Sequence, residues 1–152
     1  MPRRSFCEIY VHLVWRTKYS RRILNGELEL FVHRRLREIG EELSLSPIAV
    51  NSAWDHVHSY YRWSPLIAVA EGVRILKSKT AVEWNKSIRS GKRFGRELKW
   101  QRGYGAVSTR KSCVPRVQNY IETQKKRHQK QRVIERFERV EFFDETPPSA
   151  AI

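Results

Sequence analysis

Long apolar runs and paired cysteines are both missing from this sequence of 152 residues. It has no run of about 18 apolar residues that could span a bilayer, and no signal-peptide core follows the basic start. Its only two cysteines, Cys7 and Cys113, lack the CxxC spacing of a redox or metal motif. We therefore expect a cytosolic protein with two buried, unpaired thiols and no membrane partner.

Acidic residues are scarce beside basic ones. The chain has 16 Asp and Glu against 30 Lys and Arg, a formal net charge of +14. A surplus of this size favours binding to a polyanion, because lysine and arginine release counterions from phosphates. Such binding is salt-sensitive and largely independent of sequence. Composition therefore points to a nucleic acid without distinguishing DNA from RNA.

Length and hydrophobic content predict one domain. A hydrophobic fraction of 40% is enough to bury a core in a chain of this length, and no internal repeat divides it. We place a single domain at residues 1–143. Residues 144–152 are rich in proline and small side chains, so we expect a disordered tail there.

Hydrophobic periodicity predicts strands and helices in the order βαββαβα. A period of two marks the strands, steps of three and four mark the helices, and Asn25, Ser64 and Pro65 are placed to begin helices. Strands are expected at residues 9–15, 48–53, 56–63 and 104–108, and helices at 25–43, 65–84 and from 113 onward. This order predicts an α/β sandwich of α+β type, with helices packed on a mainly antiparallel, ferredoxin-like sheet.

Two histidines one residue apart lie in the third predicted strand. Alternate residues of a strand point to the same face, so His56 and His58 would lie about 6.6 Å apart along the backbone and could hold one ion. Val57 would point into the core with Tyr61 and Trp63, which anchors the pair on a rigid element. An HxH pattern also arises by chance, so the pair needs a third ligand to indicate a metal site.

A tyrosine and a glutamine four residues apart lie on the last predicted helix. Residues at this spacing share a helix face, so Tyr120 and Gln124 could present a phenol and an amide oxygen together. Two imidazoles and one amide oxygen could hold Mg²⁺ or Mn²⁺ loosely, leaving positions open for phosphate oxygens. Beside such an ion, Tyr120 could attack a phosphodiester as a covalent nucleophile. The linkage would conserve bond energy, so no nucleotide cofactor is expected.

Four stretches of the chain resemble the HUH-type single-tyrosine transposases of bacterial insertion sequences, including the REP-associated tyrosine transposases. The stretches are HLVWRTKYSRRIL from His12, WDHVH ending at His58, LKSKTAVEW from Leu76, and WQRGYGAVSTRKSCVPRVQNYIETQ from Trp100 to Gln124. Their order and spacing match, and together they span most of the chain.

This resemblance implies a mechanism and a set of partners. It makes His56, His58 and Gln124 the metal ligands and Tyr120 the nucleophile, which forms a 5′-phosphotyrosine. It also implies a homodimer and single-stranded DNA bearing a foldback hairpin. The polar Ser59-Tyr60-Tyr61 departs from the apolar residues that usually follow the histidines. His128 resembles a histidine that trails the tyrosine in relatives, although a solvated surface histidine is the simpler interpretation.

Basic and aromatic residues are interleaved along the chain, as in proteins that bind unpaired strands. The candidate phosphate contacts are Arg16, Lys18, Arg21, Arg22, Lys77, Lys79, Arg110 and Lys111, with Arg116 beside them. The candidate stacking rings are Tyr19, Tyr60, Trp63, Trp100 and Tyr104, of which Trp63 is the most typical of a core. The polar segment 87–102 is expected to form a mobile surface loop that contacts DNA.

Two other functions fit part of the pattern. A non-catalytic nucleic-acid-binding module on a ferredoxin-like sheet would use the basic surface and the aromatic rings alone, leaving the His, Tyr and Gln set unexplained. A metal-dependent phosphoesterase would activate water at His56 and His58, although only Asp55 offers a nearby carboxylate.

Overall fold

Four antiparallel strands form one sheet with helices on both faces in the computed structural model, which describes residues 5–140. The strands are β1 (Tyr10–Arg16), β2 (Ser46–Ser52), β3 (His56–Arg62) and β4 (Gly105–Thr109), in the spatial order β2-β3-β1-β4. The helices are α1 (Gly26–Glu42), α2 (Val69–Arg89), α3 (Val114–Glu122), α4 (Gln124–Gln129) and α5 (Glu135–Glu138). The ferredoxin-like antiparallel sheet and the element order predicted from the sequence are confirmed.

One face of the sheet, the helix face, is closed by α1 and α2. Leu13, Trp15 and Val57 point to this face and are fully buried together with Leu36 of α1 and Leu76 of α2. The period of two along β1 and β3 and the helical spacing along α1 and α2 meet here. The main apolar core lies in this layer.

The opposite face, the site face, carries the alternate residues of the same strands and is covered by α3. Tyr60 packs in a smaller cluster with Val117 and Ile121 of α3. The Asn51 amide of β2 donates to the backbone oxygens of Ile121 and Glu122, 3.0 and 3.1 Å away, which holds the end of α3 on the sheet. Helices therefore cover both faces, and α3 brings its side chains against β3.

Of two predicted helix starts, the one at Asn25 is confirmed and the one at Ser64 is wrong. Asn25 occupies the N-cap position of α1, but its side chain makes no cap hydrogen bond within the described residues. The second helix begins at Val69 instead of 65, because Trp63 Nε1 donates to the Ile67 oxygen and the Ser64 hydroxyl accepts from the Leu66 amide. These contacts hold residues 64–67 as a turn before the helix.

Two further segments differ from the predictions. The third helix ends at Glu122, so Gln124 begins α4 instead of continuing the helix of Tyr120. The predicted loop 87–102 starts within α2 and is then tied down, because the Asn85 amide bonds both the nitrogen and the oxygen of buried Leu98 at 2.7 and 2.8 Å.

The remaining expectations concern the thiols, the tail and membrane spans. Cys7 and Cys113 are free, as predicted, but half-buried instead of buried. The tail expected at residues 144–152 lies outside the described residues. Within residues 5–140, none of the helices has the length and apolar character that crossing a bilayer requires.

Candidate active site

The histidine pair lies on the site face of β3. His56 and His58 are both buried, and their ring centroids lie 5.0 Å apart. Val57 points to the helix face and joins the core with Tyr61 and Trp63, as the strand alternation predicts. The two imidazoles are therefore held by an inner strand of the sheet rather than by a loop.

Each histidine of the pair has a partner at Nδ1. The Asp55 carboxylate lies 2.6 Å from His56 Nδ1, and Asp55 itself pairs with Arg16 at 3.2 Å. His58 Nδ1 lies 2.8 Å from Nε2 of His12, whose ring stacks parallel to it. Because Nδ1 is engaged in both rings, the two Nε2 atoms are left to face the same space.

His12 was not predicted as a site residue. The sequence clue to a role for His12 was its position in β1, where it alternates with Leu13 and lies on the same face as Tyr10 and Val14. Val14 pairs with His58 in the sheet register, which puts His12 two residues along on the neighbouring strand. A buried imidazole in the middle of an apolar strand was the available clue.

A carboxylate from the C-terminal part of the chain reaches the pair. Glu138 Oε2 lies 2.8 Å from His56 Nε2 and 3.3 Å from His58 Nε2, and Glu138 Oε1 lies 3.3 Å from His128 Nε2. These four residues bring ligand atoms within 4.8 Å of one another. Within residues 5–140, His56 Nε2, His58 Nε2 and Glu138 Oε2 are buried without a hydrogen-bond partner. Buried polar atoms left in this way fit a metal site.

The predicted nucleophile lies beside this cluster. Tyr120 is buried, its ring meets that of His58 edge-on at 6.1 Å, and its hydroxyl donates to the Glu138 carboxylate. The same hydroxyl accepts a hydrogen bond of 3.0 Å from the Ile134 amide. The structure thus brings Tyr120 and the histidine pair to one carboxylate.

Gln124 is connected to the histidine pair through Tyr120 and His128. Its amide nitrogen donates to the Tyr120 backbone oxygen at 3.2 Å, which turns its Oε1 toward His128 Nε2, 3.1 Å away. Gln124 is fully buried, and His128 is half-buried with its ring 4.7 Å from that of His56. The interpretation of His128 as a solvated surface histidine is therefore wrong, because the α4 turn folds back over the site.

Charges in the cluster are set by burial and by the carboxylates. Burial lowers the pKa of His58 below its usual value. Burial also lowers the pKa of His56, but the Asp55 and Glu138 carboxylates outweigh this effect and raise that pKa. Burial and then the Glu138 carboxylate raise the pKa of Tyr120, which keeps its hydroxyl protonated. A neutral His58 has the lone pair that metal ligation requires.

Glu138 was missed because it lies in a highly charged stretch with no periodicity. It is placed by neighbours: Ile134 and Phe137 pack into the small cluster of the site face, with the Phe137 ring 5.3 Å from that of Tyr120. A Cβ on Gly105 of β4 would lie 2.0 Å from the Arg139 backbone oxygen. The missing side chain therefore lets this segment cross the strand closely enough for Glu138 to enter the site.

One group of predicted phosphate contacts borders the site. Residues 16–22, the basic turn, begin with the last residue of β1. They are tied to the turn before His56, since the Thr17 and Leu24 amides donate to the backbone oxygens of Asp55 and Trp54 at 2.9 Å. Arg16 is engaged with Asp55. The other three cations are stacked on aromatic rings: Lys18 and Arg21 on Tyr19, and Arg22 on Trp54.

The other predicted contacts lie elsewhere. Lys77 donates to the backbone oxygens of Gln101 and Gly103 at 2.7 and 3.1 Å, and exposed Lys79 on α2 pairs with Glu42 of α1. Arg110 and Lys111 follow the end of β4 that pairs with Tyr10, whereas His56 pairs with Arg16 at the other end of β1. The distance between those ends of β1 is about 20 Å at the usual rise per residue.

Some of the predicted stacking rings lie at the basic turn, and others lie elsewhere. Tyr60 is fully buried and its hydroxyl bonds Thr109, so it is no surface ring. Trp63 belongs to the core, as expected, and Trp100 packs partly on that core and donates to Thr80 at 3.0 Å. Tyr19, at the basic turn, is half-buried with two cations on its ring.

Comparisons with known proteins point to one family. The model of a family described as "Transposase IS200 like" matches residues 5–124. The ISDra2 transposase TnpA of Deinococcus radiodurans is 28% identical over 119 residues, which cover 77% of this chain and 84% of that protein. The family match ends at Gln124, so His128 and Glu138 lie beyond it.

Two solved structures share the fold. A protein of Deinococcus radiodurans R1 described as a transposase superposes with a TM-score of 0.63 at 25% identity, covering 82% of this chain and 96% of that one. A REP-associated tyrosine transposase bound to a REP hairpin gives a TM-score of 0.55, covering 88% of this chain and 75% of that one. At 12% identity, the second likeness is one of fold alone.

Proposed function

The chain belongs to the IS200-like transposase family, and from that premise we propose that it cleaves and rejoins single-stranded DNA through a 5′-phosphotyrosine at Tyr120. The observation that carries this proposal is the meeting of three groups at one carboxylate. The Tyr120 hydroxyl donates to one oxygen of Glu138, and His56 and His58 face the other. A nucleophile and the nitrogens of two candidate metal ligands thus lie against the same carboxylate.

The residues of the site divide the reaction between them. The Tyr120 oxygen attacks phosphorus, the bond to the 3′ oxygen of the preceding nucleotide breaks, and that oxygen leaves as a hydroxyl after taking a proton from water. The hydroxyl proton of Tyr120 already points to Glu138, its nearest acceptor. Attack by another strand's 3′ hydroxyl on the phosphotyrosine reverses these steps and restores Tyr120. No nucleotide is consumed.

His56, His58 and Gln124 are the proposed holders of the divalent ion, Mg²⁺ or Mn²⁺. Asp55 and His12 orient the two imidazoles, and the amide of Gln124 is fixed by Tyr120 and His128. When bound, the ion supplies a Lewis acid that offsets charge on the phosphate during attack.

The basic turn is the proposed path of the DNA backbone toward this site. Its cations border the turn that leads into His56, and Tyr19 among them could stack on a base. The related fold bound to a REP hairpin supports a substrate that carries a hairpin. We further propose that the protein acts as a cytosolic homodimer. Lys77, Lys79, Arg110 and Lys111 remain predicted phosphate contacts away from the site.

Covalent capture of DNA tests the proposal. Labelled single-stranded hairpin oligonucleotides from the flanks of the gene are incubated with the protein and Mn²⁺, and a protein–DNA adduct is sought on denaturing gels. Tyr120→Phe should abolish the adduct and leave DNA binding intact, because basic residues supply the affinity. Tyr60→Phe is the matched control, since Tyr60 is buried on the same face and bonds only Thr109 among the contacts described.

Three outcomes separate the candidate functions. An adduct that survives Tyr60→Phe and disappears in Tyr120→Phe supports the transposase. Cleavage without an adduct that tolerates Tyr120→Phe would mean a water-using phosphoesterase. Tight binding without cleavage of any flanking sequence would mean a non-catalytic binding module.

A further inference from the structure

We propose that Glu138 is itself a ligand of the divalent ion, so that the metal site is completed by a residue outside the stretch that matches the family. This inference rests on the metal-assisted function proposed above. It adds a carboxylate oxygen to the two imidazoles and the amide.

The Nε2 atoms of the histidine pair face Glu138. His56 Nδ1 lies 2.6 Å from Asp55, which leaves Nε2 as the nitrogen of this ring that can bind an ion. His56 Nε2 lies 2.8 Å from Glu138 Oε2. An imidazole nitrogen and a carboxylate oxygen are both metal-ligand atoms, so one ion could bind both.

The facing atoms make no aligned hydrogen bond. Among the residues that the structure describes, neither Nε2 atom of the pair nor Glu138 Oε2 has a partner with hydrogen-bond alignment, although the separations are 2.8 and 3.3 Å. A single proton could also form a hydrogen bond to the carboxylate from only one of the two nitrogens. One cation shared by all three atoms satisfies them together.

The separations between these atoms also suit the size of a divalent ion. Two ligands at right angles about an ion, each bonded at about 2.1 Å, lie about 3.0 Å apart. The separations from Glu138 Oε2 to His56 and His58 bracket this value. Two imidazoles with a carboxylate form a donor set that transition-metal ions accept better than Mg²⁺ does, so Mn²⁺ should bind more tightly.

Packing of the neighbouring residues also fixes the position of Glu138. Phe137 packs its ring against those of His12 and Tyr120, at 5.1 and 5.3 Å, and Gly105 leaves room for the Arg139 backbone. His128 has a different role, because its Nε2 faces the Gln124 oxygen and must carry a hydrogen to bond it. It therefore orients Gln124, while Glu138 offers a free oxygen to the ion.

Mn²⁺ binding to the DNA-free protein tests the inference without any catalytic step. The electron paramagnetic resonance signal of free Mn²⁺ is followed as protein is added, for the wild type, Glu138→Gln and Glu135→Gln. Glu135 is the matched control, because it is an exposed glutamate in the same short helix. Loss of an outer-shell partner alone weakens metal binding about 10–100-fold, so Glu138→Gln should raise the dissociation constant at least about 10-fold. Glu135→Gln should leave it unchanged.

Other results overturn the inference. If Glu138→Gln binds Mn²⁺ as tightly as the wild type while His56→Ala loses it, the metal pair stands and Glu138 is no ligand. If Glu138→Gln binds more tightly, the carboxylate blocks the site instead of completing it. If the wild type binds no Mn²⁺, the inference falls together with the proposed metal, whereas the Tyr120 adduct is tested separately.

Thermal unfolding checks that each variant is folded. Should Glu138→Gln fail to fold, Gly105→Ala keeps every ligand but forces the Arg139 backbone outward, and it should weaken Mn²⁺ binding as well. Unchanged affinity in folded Gly105→Ala would count against the proposal.

Discussion

The two faces of the sheet use alternate residues of the same strands for different purposes. On the helix face, β1 and β3 contribute Leu13, Trp15 and Val57 to an apolar core closed by helices of 17 and 21 residues. On the site face, the same strands contribute His12, His56 and His58, which are equally buried. The covering elements there are α3, of nine residues, and shorter segments.

Burial therefore contributes stability on one face and, under the proposed function, brings the reacting groups together on the other. Apolar side chains lose nothing when water is removed, and they gain about 25 cal/mol per Å² of apolar surface. Buried imidazoles and carboxylates instead lose hydration and need partners, which here are one another. The site face keeps reactive groups near each other, and the helix face supplies the stability that this requires.

The largest change in the free energy of unfolding is expected from the core of the helix face. Leu36→Ala should destabilise the protein by about 2–5 kcal/mol, because Leu36 is fully buried and its loss leaves a cavity. Urea unfolding followed by circular dichroism measures the change. Leu30→Ala in the same helix is the control, since Leu30 is 70% exposed, and it should stay within about 0.5 kcal/mol of the wild type. Equal losses in both variants would contradict the assigned core.

A substitution on the site face should change the stability less than Leu36→Ala does, but it should lower the affinity for the metal ion. His12→Phe keeps a ring beside Phe137 but removes the partner of His58 Nδ1. Because outer-shell partners fix the tautomer of a ligand, Mn²⁺ affinity should fall about 10–100-fold, measured by titration calorimetry. His12→Asn, which can still bond Nδ1, should recover part of the affinity. Unchanged affinity in His12→Phe would remove His12 from the site.

The smallest effect is expected from single cations at the surface. Arg22→Ala should weaken DNA binding a few-fold and reduce the slope of log affinity against log salt by up to about 0.9, one phosphate contact. Fluorescence anisotropy over a range of salt concentrations measures the slope. Lys79→Ala is the comparison, because Lys79 is exposed on α2, on the helix face, and pairs with Glu42. Identical slopes in the two variants would mean that the basic turn has no special part in DNA binding.

The element order, the antiparallel sheet and the inward side of Val57 were all predictable because they depend on local periodicity. His56 and His58 also share a face by strand geometry alone. The helix start at Asn25 was predicted correctly, whereas the start at Ser64 was wrong, because a capping residue can bond other partners. Ser64 uses its hydroxyl in a turn, and Trp63 bonds the Ile67 oxygen before α2 can begin.

His12 and Glu138 approach the histidine pair from other elements, and only the place of His12 in an apolar strand gave a clue in the sequence. His12 reaches His58 across the sheet register over 46 positions of sequence, and Glu138 reaches His56 and His58 from beyond α4. Neither contact can be predicted from the periodicity of the sequence. Likewise, nothing in the spacing of the cations distinguishes the basic turn beside the site from Lys77, which bonds backbone oxygens.

Local sequence specifies the properties that neighbouring residues create: a basic chain, its strands and helices, the HxH pair and the tyrosine four residues before Gln124. Which buried polar atoms meet depends on the tertiary fold. A charged or polar side chain in a low-dielectric interior must find a partner wherever the fold provides one, however distant in the chain. That is why His12, His128 and Glu138 became parts of the site only once the strands were paired and the C-terminal segment had docked on β4.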